Sequence, residues 1–186
     1  MRRAHTRQSI IDAAYELFYR KGYGRVSVDA IADLAKVTKR TLYYHFRSKD
    51  ELLAAMLESQ HELARARIRK YERRYSGRPD DIVALFFSEL AKWSKRPGWT
   101  GVGFTRLAME LADLPGHPAR SAARRHKVEA EHWYAELFAK ARVPMAPERA
   151  REMALLLEGA AALILIHGDR SYAETAARAA MRLLRD

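Results

Sequence analysis

No cysteine occurs among the 186 residues. Disulfides, thiolate metal centres and cysteine nucleophiles are thereby excluded. Long apolar runs are missing too. The longest, residues 153–166, is shorter than a membrane span and carries Glu158. The N-terminus lacks the apolar core and cleavage site of a secretion signal. A cytoplasmic chain with no membrane partner is expected. There is no Gly-rich phosphate loop, no nucleophile elbow and no HExxH. Serines are few, and none has a catalytic setting. The expectation is therefore no enzyme, no catalytic residue and no cofactor. Period-2 alternation, internal repeats and low-complexity tracts are also lacking, which leaves an all-α chain.

Acidic residues are scarce where basic ones gather. Residues 1–49 hold 11 Lys and Arg against 4 Asp and Glu, a charge of +7. Residues 50–186 hold 23 against 19, a charge of +4. Most of the net +11 thus sits in about a quarter of the chain. Such a concentrated basic patch is the electrostatic footprint of a nucleic-acid reader.

The basic region contains SVDAIADLAKVTKRTLYYHFRSK, residues 27–49. Val28, Ile31, Ala32 and Ala35 keep helical spacing behind Ser27, a good N-cap. A second short helix follows Thr38, with Leu42 and Phe46 one turn apart on its buried face. Only Lys36, Val37 and Thr38 separate the two, so the helices must cross steeply, as in a helix-turn-helix. The outward residues Lys39, Arg40, Thr41, Tyr43, Tyr44 and His45 all donate hydrogen bonds and none is acidic. That face suits phosphates and base edges. Lys39 and Arg40 open the helix and are expected to read bases in the major groove. Ser27, Thr38, Thr41, Tyr43, Tyr44, His45 and Lys49 are expected to contact phosphates. Ser48 and Glu51 have capping-box spacing for the next helix. Arg2, Arg3, His5 and Arg7 form either a basic arm toward DNA or a solvated terminus.

These residues resemble the N-terminal domain of the TetR/AcrR family of bacterial transcriptional regulators. VTKRTLYYHFRSKDEL (37–52), SVDAIADLA before it and an amphipathic helix ending near Gly22 carry the likeness, over about residues 6–55. The family usually has Gly where this chain has Lys36. If that position is left-handed, Lys costs about 1 kcal/mol relative to Gly.

The first helix reaches about Lys21, with Ile10, Ala14, Leu17 and Phe18 inward. A fourth helix, about 49–75, is roughly 40 Å long at 1.5 Å per residue. Its far half carries Arg65, Arg67, Arg69, Lys70, Arg73 and Arg74, read as a solvated face. Further helices are expected over about 80–95, 104–113, 120–142, 148–167 and 172 to the end. The division expected is a helix-turn-helix DNA-binding domain, 1–50, and a helical ligand-binding and dimerisation domain, 51–186, with about nine helices in all.

The eighth helix is apolar nearly all round, which implies burial on several sides. The resemblance implies a homodimer built from the last two helices as a four-helix bundle. Leu156, Leu157, Gly159, Ala160, Leu163, Ile164, Ala176, Ala180 and Leu184 would form it. The alternative is an intramolecular core. Bulky residues concentrate in helices 5 to 7. The resemblance implies an effector pocket in this region, among helices 4 to 7, walled by Tyr71, Phe87, Trp93, Phe104, Met109 and Trp133, with Arg106, Glu110 and His117 as polar anchors. The plainer reading is that the rings fill a core. His126, Glu129 and His132 spread around one helix and do not converge on a metal; no metal site is expected.

The sequence therefore points to a dimeric regulator bound to a palindromic operator in double-stranded DNA. It would be a repressor released by an apolar or aromatic small-molecule effector. The alternatives are an effector-free DNA-binding regulator controlled by a protein partner, and a helical enzyme or carrier that retains the domain.

Overall fold

The computed structural model describes residues 2–75 and 78–185. Gly77, expected to end the fourth helix, lies outside the described residues, as does the side chain of Arg2. Among the described residues every regular element is helical: α1 (Arg2–Lys21), α2 (Val28–Leu34), α3 (Lys39–His45), α4 (Lys49–Tyr75), α5 (Pro79–Trp93), α6 (Gly103–Glu110), α7 (Pro118–Lys140), α8 (Ala146–His167) and α9 (Ser171–Leu183). The all-α class with an N-terminal helix-turn-helix stands. Several ends differ from the expected ones. Pro79, Pro118 and Pro147 read as loop breaks in sequence, yet each lies in the first turn of a helix. Proline is tolerated there because the N–H it lacks would have no intrahelical partner.

The chain folds into two compact units, Met1–Ala64 with Gly103–Arg125, and Arg65–Val102 with His126–Asp186. The first three helices do not enclose their core by themselves. Around Ile10, Ala14, Phe18, Ile31, Leu42 and Phe46, the first unit adds Leu52, Leu53, Met56 and Leu57 from α4, Phe104 and Leu107 from α6, and Ala119, Ala122 and Ala123 from α7. In the second unit, α5, the later part of α7, α8 and α9 close over Ile82, Phe87, Leu90, Leu137, Phe138, Met153 and Ile164.

α8 is not buried all round. Ala150, Met153, Ala160, Ala161 and Ile164 face inward. On another side, Leu155 (69% exposed), Leu163 (37%) and Ile166 (72%) meet solvent in the single chain. Gly159 and Ala162 are exposed with them. Their spacing of three and four residues makes one continuous stripe.

The turn of the helix-turn-helix has a definite hydrogen-bond pattern. Lys36 N–H donates to Asp33 O at 3.1 Å, and Val37 N–H to Ala32 O at 3.0 Å. This is a Schellman motif, which needs its penultimate residue left-handed. Lys36 is that residue, at φ 55°. The side chain thus stands where glycine is the unstrained choice. Lys36→Gly is expected to raise stability by about 1 kcal/mol, checked by denaturant midpoint at unchanged m-value. A loss of stability would contradict the strain.

Candidate nucleic-acid interface

α3 is only seven residues long and is aimed by what surrounds it. Thr38 Oγ1 accepts from Thr41 N–H at 3.1 Å and caps its start. Ser27 Oγ does the same for α2, accepting from Ala30 N–H at 3.1 Å. Both hydroxyls accept inward, so the Ser27 proton remains available to donate outward. Thr38 and Thr41 share a further contact, Oγ1 to Oγ1, at 2.8 Å. Leu42 is wholly buried and Phe46 nearly so. With those two pegged into the core, Lys39, Arg40, Tyr43 and Tyr44 must face solvent, and all four are exposed. Thr41 and His45 are half-buried. The His45 ring stands edge-on to Tyr44, centroids 5.4 Å apart.

Two features of this surface have no sequence signal. Lys39 Nζ lies 3.0 Å from both carboxylate oxygens of Asp29, a residue of α2. Asp29, by its hydrogen bond first and its charge second, holds the Lys39 ammonium above the ordinary lysine value. Arg40, its neighbour, has no acidic partner among the described residues. The N-terminal arginines, for their part, are helical and not a loose arm. The Arg3 guanidinium sits 4.8 Å from the Tyr44 ring centroid and that of Arg7 5.0 Å from the Phe46 ring. Stacking on aromatic faces keeps both cations beside α3.

Lys49 is differently placed from the phosphate contact expected of it. Its ammonium donates to Tyr23 O and Val26 O, each at 3.0 Å, and lies 4.1 Å from the Tyr23 ring centroid. Two of its three donors therefore tie the start of α4 to the turn between α1 and α2. Half of the expected capping box of α4 forms, Glu51 N–H donating to Ser48 Oγ at 3.1 Å, while the Glu51 carboxylate reaches one residue further back and accepts from Arg47 N–H at 2.7 Å.

The same α1–α2 turn absorbs two of the three polar residues expected to anchor an effector, and the third, His117, is held beside Asp50. Glu110 Oε2 accepts from Tyr23 N–H at 3.0 Å and Oε1 from Gly24 N–H at 2.7 Å. Arg106 Nη1 donates to Tyr19 O at 2.6 Å. The left-handed Gly22 (φ 83°) makes room, since a Cβ there would lie 2.9 Å from Glu110 Oε2. His117 is buried. Its Nδ1 accepts from Ala119 N–H at 3.1 Å, which leaves the proton on Nε2. Nε2 is 3.5 Å from Asp50 Oδ1, an electrostatic contact without a formed hydrogen bond. These charges are committed because backbone amides and carbonyls of a turn have no helical partner and must be satisfied locally. Phe104 belongs to the same unit's core, and Met109 is 71% exposed.

The remaining pocket candidates lie in the second unit. The Phe86 ring meets Tyr71, Trp133 and Tyr134 edge-on at centroid distances of 5.8, 5.8 and 5.7 Å. Trp133 Nε1 donates to Glu72 Oε1 at 2.8 Å. Trp93 packs edge-on against Trp99 at 5.9 Å, while Phe87 is core. The expected list thus divides between the two units. Phe86 and Tyr134, not expected, are central to the aromatic group. An open groove of about 500 Å³ runs along α7 and the start of α8, lined by Val128, His132, Ala135 and Pro147 among others. His132 Nε2 is 3.2 Å from Glu136 there.

Of the residues expected at a dimer interface, Ala160, Ile164, Ala176 and Ala180 are buried within the chain itself. Leu156, Leu157 and Leu184 are half-buried; Gly159 and Leu163 are open. Leu155, Ala162 and Ile166 share their stripe and were legible from the same spacing.

Tyr23 ties this region together, its hydroxyl donating to Asp50. Burial first, then that hydrogen bond and the charges of Asp50 and Glu110, push the Tyr23 phenol up from its ordinary value. The Tyr23 hydrogen bond is also the main cause holding the Asp50 carboxyl below its usual range. A depressed carboxyl stabilises above its unfolded value and loses that as pH falls; a raised phenol stabilises below its unfolded value and loses that as pH rises. The stability difference between wild type and Tyr23→Phe should hold a plateau near neutrality and shrink below about pH 4 and above about pH 10. Denaturation of both chains at acid, neutral and alkaline pH checks this; a difference independent of pH would contradict it.

A model of the bacterial regulatory proteins of the tetR family matches residues 10–56, which hold most of α1, all of α2 and α3, and the start of α4. HTH-type transcriptional regulator TtgR of Pseudomonas putida is 48% identical over 65 residues, 33% of this chain and 31% of that protein. The Transposon Tn10 TetC protein of Escherichia coli is 46% identical over 55 residues, 30% of this chain and 28% of its own. The chain thus aligns with about a third of the length of these curated relatives. The likeness to solved structures runs further. SCO4454, a TetR-family transcriptional regulator from Streptomyces coelicolor, superimposes with a TM-score of 0.87 at 28% identity, covering 98% of this chain and 96% of that one. Escherichia coli NemR in its reduced form shares the fold at a TM-score of 0.86 and 20% identity, over 94% of each chain. With the helix-turn-helix matched by residue and the full length matched by fold, residues 10–56 are a tetR-family DNA-binding segment in a chain that shares the fold of TetR-family transcriptional regulators.

Proposed function

We propose that the chain is a dimeric repressor that binds a palindromic operator and leaves it when an apolar or aromatic small molecule binds. The observation that carries the DNA reading is the exposed, acid-free face of α3, held rigid by two caps and two buried pegs. Lys39 and Arg40, at the start of the helix, are the base readers. Ser27, Thr38, Thr41, Tyr43, Tyr44 and His45 surround them as phosphate donors, with Arg3 and Arg7 added from α1. Such a protein works where the DNA is, in the cytoplasm. No described helix is long and apolar enough to cross a membrane.

The open stripe of α8 supports the dimer. Leu155, Gly159, Ala162, Leu163 and Ile166 leave apolar surface in water that a second copy would cover, with small residues admitting close approach. A palindrome then presents one half-site to each reading head.

The aromatic group of Tyr71, Phe86, Trp133 and Tyr134 supports the effector reading, because an apolar planar ligand can take the place of one ring against the others. The same rings already pack against each other, which favours the second reading, a regulator governed by a protein partner. Tryptophan fluorescence and melting temperature across a panel of aromatic metabolites separate the two. α4, one continuous helix from Lys49 to Tyr75, is the element that would carry a ligand-induced shift to α3.

Arg40→Ala should cost about 1–3 kcal/mol at the operator and relax specificity there. Equal loss on operator and unrelated DNA would show a phosphate contact instead. Leu163→Arg should give monomers, since an unpaired charge in an apolar interface costs several kcal/mol, and each half-site would then be bound alone. Sedimentation at micromolar protein checks this, and an intact dimer would place the interface elsewhere.

A further inference from the structure

Two adjacent cations open α3, and they are not electrically alike. Lys39 faces Asp29 across the helix-turn-helix with Nζ 3.0 Å from each carboxylate oxygen. Arg40 has no such partner among the described residues. Both side chains of the Lys39–Asp29 pair are more than half exposed. An ion pair this exposed adds little to folding. A carboxylate on the face of a DNA reader, moreover, opposes phosphate on every sequence. Its place beside a base-reading residue calls for a role in recognition.

We propose that Asp29 is a specificity-determining residue of the DNA interface, keeping Lys39 for a base edge and denying it to phosphate. This rests on the operator-binding reading above. Attraction to phosphates depends on net charge and is indifferent to sequence. With Asp29 bound, the Lys39 ammonium offers the duplex almost no net charge. It keeps a donor, because an ammonium has three and Asp29 occupies two at most. A base acceptor such as purine N7 or O6 is neutral and needs a placed donor more than a charge. Asp29 therefore lowers affinity for any duplex by its charge and recovers it only where a base acceptor meets Lys39. Specificity gained through a built-in repulsion is a difference of affinities, not an added contact. Arg40, unpaired, supplies the charge that Lys39 withholds.

The test uses the full chain and two probes. One is the duplex that the wild-type chain enriches from a random-sequence library; the other is a scrambled duplex of equal length and composition. Asp29→Asn keeps the side-chain shape at an exposed position and removes the charge. One additional counterion released makes the scrambled duplex bind about eightfold tighter at 0.1 M salt, with a log–log salt slope steeper by about 0.9, while the enriched duplex gains about twofold or less. The specificity ratio falls accordingly. Lys39→Ala is then added to both backgrounds. If Asp29 acts through Lys39, then once Lys39 is gone Asp29→Asn relieves only a bare charge, tightens both duplexes alike and leaves the specificity ratio unchanged. With Lys39 present, equal gain on both duplexes or no gain on the scrambled one overturns the proposal, and so does a specificity ratio that still falls with Asp29→Asn once Lys39 is gone. Enrichment of no sequence by the wild type sinks the operator reading and this proposal with it. Clear enrichment with an unchanged ratio in Asp29→Asn sinks this proposal alone.

Discussion

Everything the reading head presents depends on two side chains that never meet solvent. α3 has seven residues, far fewer than an isolated helix needs to hold together in water. Leu42 and Phe46 peg it into a core built by α1, α2 and α4. Because they lie one turn apart, they leave a single rotation about the helix axis. That rotation turns Lys39, Arg40, Tyr43 and Tyr44 outward together. The Thr38 cap and the left-handed Lys36 set where the helix begins and at what angle it leaves α2. Strain at Lys36 is tolerated because a Schellman motif and two caps surround it.

A second layer of support comes from far along the chain. α6 supplies Glu110 and Arg106 to the backbone of the turn between α1 and α2, while Asp50 and Lys49 approach it from α4. Tyr23 sits where these meet. Turn amides without helical partners gain charged acceptors, and the half-buried phenol of Tyr23 gains a carboxylate. The result is a reading head whose stability depends on residues 80 or more positions away. A shift of α6 or of the start of α4 therefore bears directly on the helix-turn-helix, through direct hydrogen bonds.

The second unit divides its apolar surface by size. Small residues on α8 and α9 allow close helix packing, and Ala160, Ile164, Ala173, Ala176 and Ala180 are spent on it within the chain. What is left over, from Leu155 to Ile166, is a stripe on the opposite side. The aromatic side chains gather instead between α4, α5 and α7, where edge-on and tilted contacts among four rings fill the space.

Local chemistry was enough to specify the helices, the caps at Ser27, Thr38 and Ser48, the pegs Leu42 and Phe46, and the donor-only face of α3. Each depends on residues within a turn or two of one another, and spacing along a helix fixes which side they share. Even the strain at Lys36 follows from a missing glycine in a three-residue turn. Partnerships between distant residues were not legible. Glu110, Arg106 and His117 look in sequence like polar groups awaiting a ligand. Only folding brings them to the orphan amides and carbonyls of residues 19–24, or beside Asp50. Lys49 looks like a phosphate contact until the carbonyls of Tyr23 and Val26 arrive at its ammonium. The pairing of Lys39 with Asp29 depends on the crossing of α2 and α3. Which face of α8 the chain keeps for itself depends on where α9 lies. A charge declares its sign in the sequence, but its partner is a matter of distance, and distance between remote residues belongs to the tertiary fold.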